Sequence, residues 1–258
     1  MRFLMGLLAA TAITSVASAA PLTPPQPGPA PTLTQPVADM QTDKNADDTD
    51  FLFRLGMMEG HLIIGHELLV NNQAALALPH FGHPVRELYD DVGPYLDKHH
   101  FPGFDKQLIT LEAAVTAAPK AKDTEDQYQA MIATLHKARD LAPANLRASV
   151  PEMIQICSDT IDAASGEFGE SLEQGQVSDL VEYHDSRGFL EYVAEEVKDL
   201  AASHTDAASQ ALLGQFKPIL AKAQYIVADL IPAPTPRASV TDYRAIAAQA
   251  EDIAKKAQ

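Results

Sequence analysis

The chain has 258 residues, of which 35 are acidic and 19 are basic, and its formal net charge is -16. Such an acidic protein repels phosphate backbones and anionic lipid surfaces, so nucleic acid is excluded as an expected partner and cations are favoured. Cys157 is the single cysteine, which excludes an intrachain disulfide.

The first 19 residues have the pattern of a secretory signal peptide. Arg2 gives a positive start, the apolar run "FLMGLLAATAITSVA" follows, and Ala17-Ser18-Ala19 matches a small-x-small cleavage site. The run is too short to stay as a membrane span, so cleavage after Ala19 leaves no stable membrane insertion. These features predict a secreted, periplasmic protein.

Residues 20–50 are rich in proline and poor in apolar side chains. Such a segment cannot bury a core, so we expect a disordered tether. Over residues 51–258, apolar side chains recur at intervals of three and four, which is typical of helices, and no useful stretch has the period of a strand. The sequence therefore predicts an all-α domain over residues 51–258, a compact bundle of about seven or eight helices without a sheet.

The first predicted helix, Phe51–Val70, is apolar on all sides, which is typical of a central, buried helix. It nevertheless contains "MEGHLIIGHELL". Glu59 and His66 share one apolar stripe, whereas His61 lies near Arg54 on the side expected to reach solvent. A buried carboxylate needs a partner or changes its protonation state, so Glu59 and His66 are candidates for a structural pair or for metal ligands.

Three glycines, Gly56, Gly60 and Gly65, interrupt this helix. Each costs about 1 kcal/mol relative to alanine inside a helix. Their presence predicts that a neighbouring helix, or a ligand, comes close to the backbone.

The stretch "PHFGHPVRELYDD" adds two further histidines. Because Pro84 lacks a backbone N–H and clashes with the preceding turn, we expect a new helix to start there. His83 and Glu87 then pair across one turn, either as outer metal ligands or on a solvated polar face.

The helix predicted from Asp179 to Ala202 carries a second misplaced carboxylate. Glu182 points into its apolar face, whereas His184, Asp185 and Arg187 point elsewhere. Buried carboxylates are costly without a partner, so Glu182 is also a candidate site residue.

Packed together, these helices bring Glu59, His66 and Glu182 into one interior, with Glu167 of the preceding helix at its edge. An imidazole with two or three carboxylates suits iron, manganese or zinc, and it is equally the composition of a structural polar network. The predicted metal ligands are Glu59, His66 and Glu182, with His83 and Glu87 as an outer pair.

Catalytic motifs are missing: the sequence has no HExxH, no GxSxG, no Gly-rich phosphate loop and no Cys-His zinc spacing. The layout of signal peptide, tether and all-helical periplasmic body resembles that of the imelysin-type proteins linked to iron uptake. Their signature is Gly-x-His-x-x-Glu. "GHLIIGHE" holds these residue types at another spacing, so membership of that family does not follow.

The leading hypothesis is a periplasmic protein that binds or handles a divalent transition metal without catalysis, with the metal ion or another envelope protein as its partner. One alternative is an interaction scaffold whose buried polar groups only fix helix register. Another is a metal-dependent hydrolase in which a glutamate acts as base. Three carboxylate or imidazole groups within about 5 Å of one point would favour metal over scaffold, because ligand distances are near 2 Å.

Overall fold

The computed structural model describes residues 46–258, so the predicted signal peptide and most of the predicted tether lie outside the described residues. The described chain is all-α, as predicted. None of its helices is both long and apolar enough to cross a membrane. The helices are α1 (Ala46–Val70), α2 (Ala74–His83), α3 (Tyr89–Lys98), α4 (Asp105–Ala117), α5 (Lys122–Arg139), α6 (Ala144–Arg147), α7 (Val150–Glu170), α8 (Leu180–Ser203), α9 (Ala207–Ile226) and α10 (Val240–Ala257).

The break predicted at Pro84 is absent, and this expectation was wrong. A π-helical turn, Pro84–Leu88, joins α2 to α3 without interruption. The wider turn gives the proline ring room where a regular α-helix would set it against the carbonyl of His80. With residues 74–98 taken as one helix, the described residues form eight long helices and one of four residues, which agrees with the predicted number.

The first helix starts at Ala46, five residues before the predicted Phe51. Asp47 and Asp48 lie in its first turn, where carboxylates interact favourably with the helix dipole. Asp48 also accepts a hydrogen bond of 2.6 Å from the hydroxyl of Tyr95 in α3. These interactions extend the helix into residues that resemble the tether in composition.

A short hairpin is the one departure from helical structure that the prediction missed within residues 46–258. Its strands, β1 (Leu172–Glu173) and β2 (Gln176–Val177), are two residues each and antiparallel. Gln174 and Gly175 both have positive φ, the pattern of a two-residue type I′ turn. The hairpin links α7 to α8.

The first helix is the central one, as its all-round apolarity predicts. It packs against α2, α3, α5, α7 and α8, and Leu55 and Leu62 are at most 1% exposed. One hydrophobic cluster lies among α1 to α5. A second, formed mainly by α7 to α10, receives Leu52 of α1. The first helix therefore connects the two halves of the core.

The last four long helices form a bundle in which α7 packs on α8 and α10, and α9 packs on the same two helices. Ser149 caps the start of α7, because its side chain accepts a hydrogen bond from the backbone N–H of Glu152. A complete capping box joins Ser239 and Asp242 at the start of α10. Cys157 is fully buried in this bundle, and burial raises the pKa of its thiol, which disfavours the reactive thiolate.

Helices α1 and α8 cross at a contact between glycine backbones. A Cβ atom on Gly60 would lie 3.0 Å from the carbonyl oxygen of Gly188, and one on Gly188 would overlap the carbonyl oxygen of Gly60. A Cβ atom on Gly65 would lie 2.9 Å from the ring of Phe81 in α2. The close approach predicted at these glycines is therefore made by neighbouring helices.

Leu62→Ala should lower the free energy of unfolding by about 2–5 kcal/mol, because Leu62 is 0% exposed in the central helix and its truncation leaves a cavity. Ile109→Ala in α4 is the matched control, since Ile109 is 51% exposed and should change stability little. Urea unfolding of both variants measures the difference. Equal, small effects would show that α1 is peripheral.

Candidate metal centre

Four side chains converge where α1, α2 and α8 meet. His61 belongs to α1, His80 and His83 belong to α2, and Asp185 belongs to α8. One possible ligand atom from each residue lies within 4.8 Å of the other three. Among residues 46–258, this is the only group of three or more His, Cys, Asp or Glu side chains with such convergence.

The backbone arrangement explains why these residues meet. His61 directly follows Gly60, and Asp185 lies three residues, or about one turn, before Gly188. The glycine contact therefore brings this part of α1 against this part of α8. His80 and His83 are three residues apart, so they lie on one face of α2.

All three imidazoles hydrogen-bond to the carboxylate of Asp185. The Nδ1 atoms of His61 and His80 lie 2.6 Å and 2.7 Å from its Oδ1, and the Nδ1 atom of His83 lies 3.1 Å from its Oδ2. The side chains of His61, His80 and Asp185 are 4%, 0% and 2% exposed, whereas that of His83 is 15% exposed. The group is thus closed to solvent except at His83.

The electrostatics of the group depend on these contacts. Burial alone would raise the pKa of Asp185, but the charge and hydrogen bond of His61, with the hydrogen bonds from His80 and His83, hold that pKa well below its ordinary value. Burial tends to lower the pKa of His83, but its hydrogen bond to Asp185 and the nearby carboxylates raise it overall. The carboxylate therefore stays ionised and attracts either protons or a cation to the facing imidazoles.

His184 lies directly behind this group. It is fully buried, and its Nε2 atom lies 2.8 Å from the backbone carbonyl oxygen of Leu230, to which it donates. Burial lowers the pKa of His184, so the ring is neutral at neutral pH. Its ring centroid lies 5.6 Å from that of His80, at an interplanar angle of 73°. Nδ1 of His184 and Nε2 of His80 are both buried, and neither has a hydrogen-bond partner among the described residues.

Glu59 and His66, two of the predicted ligands, pair with α5 instead of with each other. Glu59 accepts a hydrogen bond of 2.8 Å from Nε2 of His136, and Nε2 of His66 lies 2.7 Å from Glu125. Both line a surface cavity of about 410 Å³. They share a stripe of α1, but seven residues span about 10.5 Å along a helix, which is too far for one ion.

The other three predicted ligands lie at or near the centre. His83 is a member of it, and Oε1 of Glu87 lies 3.8 Å from Nε2 of His83. Glu182 is half-buried and hydrogen-bonds with Glu167, and its charge acts on His83. Metal binding by the five predicted residues stays a prediction.

Sequence reasoning missed His61, His80 and Asp185. His61 was expected to reach solvent, but it is 3% exposed because α8 covers that side of α1. Asp185 points away from the apolar face of α8, as predicted, but α1 and α2 cover the opposite face too. The signals that could have found them are the pair His80 and His83, one turn apart, and glycines close to His61 and Asp185.

The comparison with protein families gives one match. Residues 143–258, which include α6 to α10, are similar to the family described as the iron permease-associated 4-helix bundle domain. The match covers less than half of the chain. Neither the curated proteins nor the solved structures contain a match to this chain.

Glu167→Gln should flatten the pH dependence of stability. Burial and the hydrogen bond shared with Glu182 raise the pKa of Glu167 from 4.5 to about 8. Between these values the folded protein binds more protons than the unfolded chain, so the free energy of unfolding of the wild type falls as pH rises. This contribution is fully present below the unfolded value and is lost as pH passes the folded value.

Urea unfolding across that pH window measures the effect. Glu152→Gln, near the other end of α7, is the matched control and should follow the wild type. A Glu167→Gln variant whose stability declines as steeply as that of the wild type would show that Glu167 is already ionised in the folded protein.

Proposed function

We propose that this protein is a periplasmic protein that binds a transition metal ion, without catalysis, through His61, His80, His83 and Asp185. The observation that carries the proposal is the convergence of three imidazoles and one carboxylate in a closed interior. A single ion could take all four groups as ligands, which would use every member of the cluster.

The donor set fits a transition metal ion. Imidazole suits iron, zinc and copper, and a carboxylate adds the negative charge that favours a cation. Two ligands bound at about 2.0–2.2 Å lie at most about 4.4 Å apart, so the observed group needs only a small adjustment of its side chains. The similarity of residues 143–258 to an iron permease-associated domain supports iron as the metal and a membrane permease as the partner.

Binding at this centre changes which nitrogens of the imidazoles carry protons. In the metal-free protein each imidazole donates a hydrogen bond to Asp185 through Nδ1. An imidazole nitrogen binds an ion only through its lone pair, so a proton must leave each ligating Nδ1 atom. A neutral imidazole can move this proton to Nε2, whereas an imidazolium must release one, so protons compete with the metal for a protonated ring. The raised pKa of His83 favours such competition at this ligand as pH falls.

His83 also marks the side from which an ion arrives. Its side chain is the most exposed of the four, and the carboxylates of Glu87 and Glu182 act on it. Together with the net charge of -16, these groups attract a cation towards the one accessible ligand.

A structural network is the second candidate, and one observation favours it. The distances of 2.6, 2.7 and 3.1 Å are ordinary hydrogen bonds, which satisfy the carboxylate without an ion. On that reading the four residues hold α1, α2 and α8 together, and the protein acts as a helical scaffold.

Metal should raise the melting temperature of the wild type and leave that of Asp185→Asn unchanged. An ion that binds only the folded state stabilises it by about 2.7 kcal/mol at a hundredfold excess over Kd. The measurement is a thermal melt of untagged, metal-free protein with and without iron(II), manganese(II) or zinc(II). The amide oxygen of Asn can still accept from His61 and His80, whereas its NH2 group faces His83 as a donor and the charge is lost. The metal-free variant should therefore keep most of these hydrogen bonds and remain folded.

Glu59→Gln and His66→Ala are the matched controls, because both residues line the separate cavity beside α5. They should keep the full metal-dependent rise. No rise in the wild type would refute the metal function and leave the scaffold. If the metal-dependent rise in melting temperature were kept in Asp185→Asn but lost in Glu59→Gln, the ion would bind in that cavity instead.

The periplasmic location has its own test. The mature protein is expected to begin at Ala20, because Ala17 and Ala19 suit cleavage after Ala19. N-terminal sequencing of protein from the periplasmic fraction measures this, and removal of residues 2–19 should retain the protein in the cytoplasm. An uncleaved Met1 in mature protein would contradict the prediction.

A further inference from the structure

We propose that His184 positions the ligand His80, by accepting a hydrogen bond that His80 can donate only when it binds an ion through Nδ1. The inference rests on the metal function proposed above and goes beyond it, since His184 is not one of the four converging residues. It follows from the two buried ring nitrogens that have no partner in the metal-free protein.

The hydrogen bonds determine which nitrogen of His184 carries its proton. Nε2 faces the carbonyl oxygen of Leu230 at 2.8 Å. A carbonyl oxygen only accepts, so Nε2 is the protonated nitrogen and Nδ1 of the neutral ring holds a lone pair. This lone pair is buried and unused.

The same reasoning applies to His80 in the metal-free protein. Its Nδ1 atom lies 2.7 Å from the ionised carboxylate of Asp185, so Nδ1 carries the proton. Nε2 of a neutral His80 is then a second buried lone pair. Two lone pairs cannot hydrogen-bond to each other, and in the metal-free protein both nitrogens are unpartnered although the two rings are adjacent.

Coordination reverses this arrangement at His80. The proton of the neutral ring moves from Nδ1 to Nε2, which frees the Nδ1 lone pair to bind the ion and leaves the N–H on Nε2. This donor would be buried without an acceptor were it not for the lone pair on Nδ1 of His184 in the adjacent ring. The two rings are adjacent, with centroids 5.6 Å apart at an interplanar angle of 73°, which makes Nδ1 of His184 the candidate acceptor once the rings rotate to align the two atoms.

Consecutive residues of α8 thus contact the same ring. Asp185 accepts a hydrogen bond from Nδ1 of His80, and in the proposed metal-bound state the adjacent His184 accepts one from Nε2. Residues that hydrogen-bond to the outer nitrogen of a ligating histidine fix its tautomer and orientation, and their loss typically weakens metal affinity by about 10- to 100-fold.

Two conservative substitutions separate this role from simple anchoring. In His184→Asn the side-chain oxygen occupies roughly the place of Nδ1, so it can accept from His80 but cannot reach Leu230. In His184→Gln the side-chain amide reaches the place of Nε2, so it can donate to Leu230 but offers no acceptor to His80. Zinc(II) affinity of the full-length secreted protein, measured by competition with a chelating dye, should fall about 10- to 100-fold in His184→Gln and stay near wild type in His184→Asn.

Nitrogen-15 NMR of histidine-labelled, zinc-loaded protein gives the independent readout. His80 should show a metal-bound Nδ1 and a protonated, slowly exchanging Nε2, and the slow exchange should be lost in His184→Gln. Equal affinities for His184→Gln and wild type, or the reverse order of the two variants, would overturn the proposal while the metal site stands. Coordination of His80 through Nε2 would also overturn the proposal and leave the metal site standing. No zinc-induced change at any histidine of the wild type would instead overturn the metal function itself.

Discussion

The carboxylate of Asp185 is the constraint on which this structure depends. A charge that is 2% exposed is costly unless hydrogen-bond donors or a cation compensate it. Three imidazoles provide the donors, and they come from two helices other than α8. The need to satisfy one buried charge therefore fixes α1 and α2 against α8. The same need makes the position receptive to an ion, because protons on Nδ1 and a bound cation are interchangeable ways of neutralising it.

Two departures from regular helix chemistry allow this arrangement. Gly60 and Gly188 let the backbones of α1 and α8 touch, which puts His61 within 2.6 Å of Asp185. The π-helical turn at Pro84 lets the chain remain helical through His80 and His83, so both imidazoles stay on one face. Such turns are frequent at functional positions in helices. Each departure costs local stability, and each lies within four residues of a member of the group.

Local features of the sequence predicted most of the fold. The all-round apolarity of Phe51–Val70 predicted a central helix, and the intervals of three and four predicted the other helices, because both signals are properties of short stretches of sequence. The helix break expected at Pro84 was wrong, because a proline need not interrupt a helix where the next turn can widen into a π-helical turn. The candidate metal centre could not be predicted in the same way. Whether His61 and Asp185 are buried depends on which helix covers them, and periodicity within one helix does not contain that information.

Glu59 and His66 show the complementary error. Their common stripe was read as proximity, yet residues on one stripe are separated along the helix axis by 1.5 Å for each residue. For these side chains to converge on one ion, several helices must each contribute one or two ligands at the same level along the helix axes. The group His61, His80, His83 and Asp185 meets that requirement, and no pair within one helix can.

The residues similar to the iron permease-associated bundle contain only part of the candidate centre. The matched residues 143–258 contain Asp185 and His184, but His61, His80 and His83 lie outside them. A bundle of α7 to α10 alone would leave the Asp185 face of α8 uncovered, and a solvated carboxylate there would keep an ordinary affinity for cations. It is the layer formed by α1 and α2 that buries this face and brings three imidazoles to it. The candidate centre thus belongs to the boundary between the matched bundle and the helices that precede it, and neither part can form it alone.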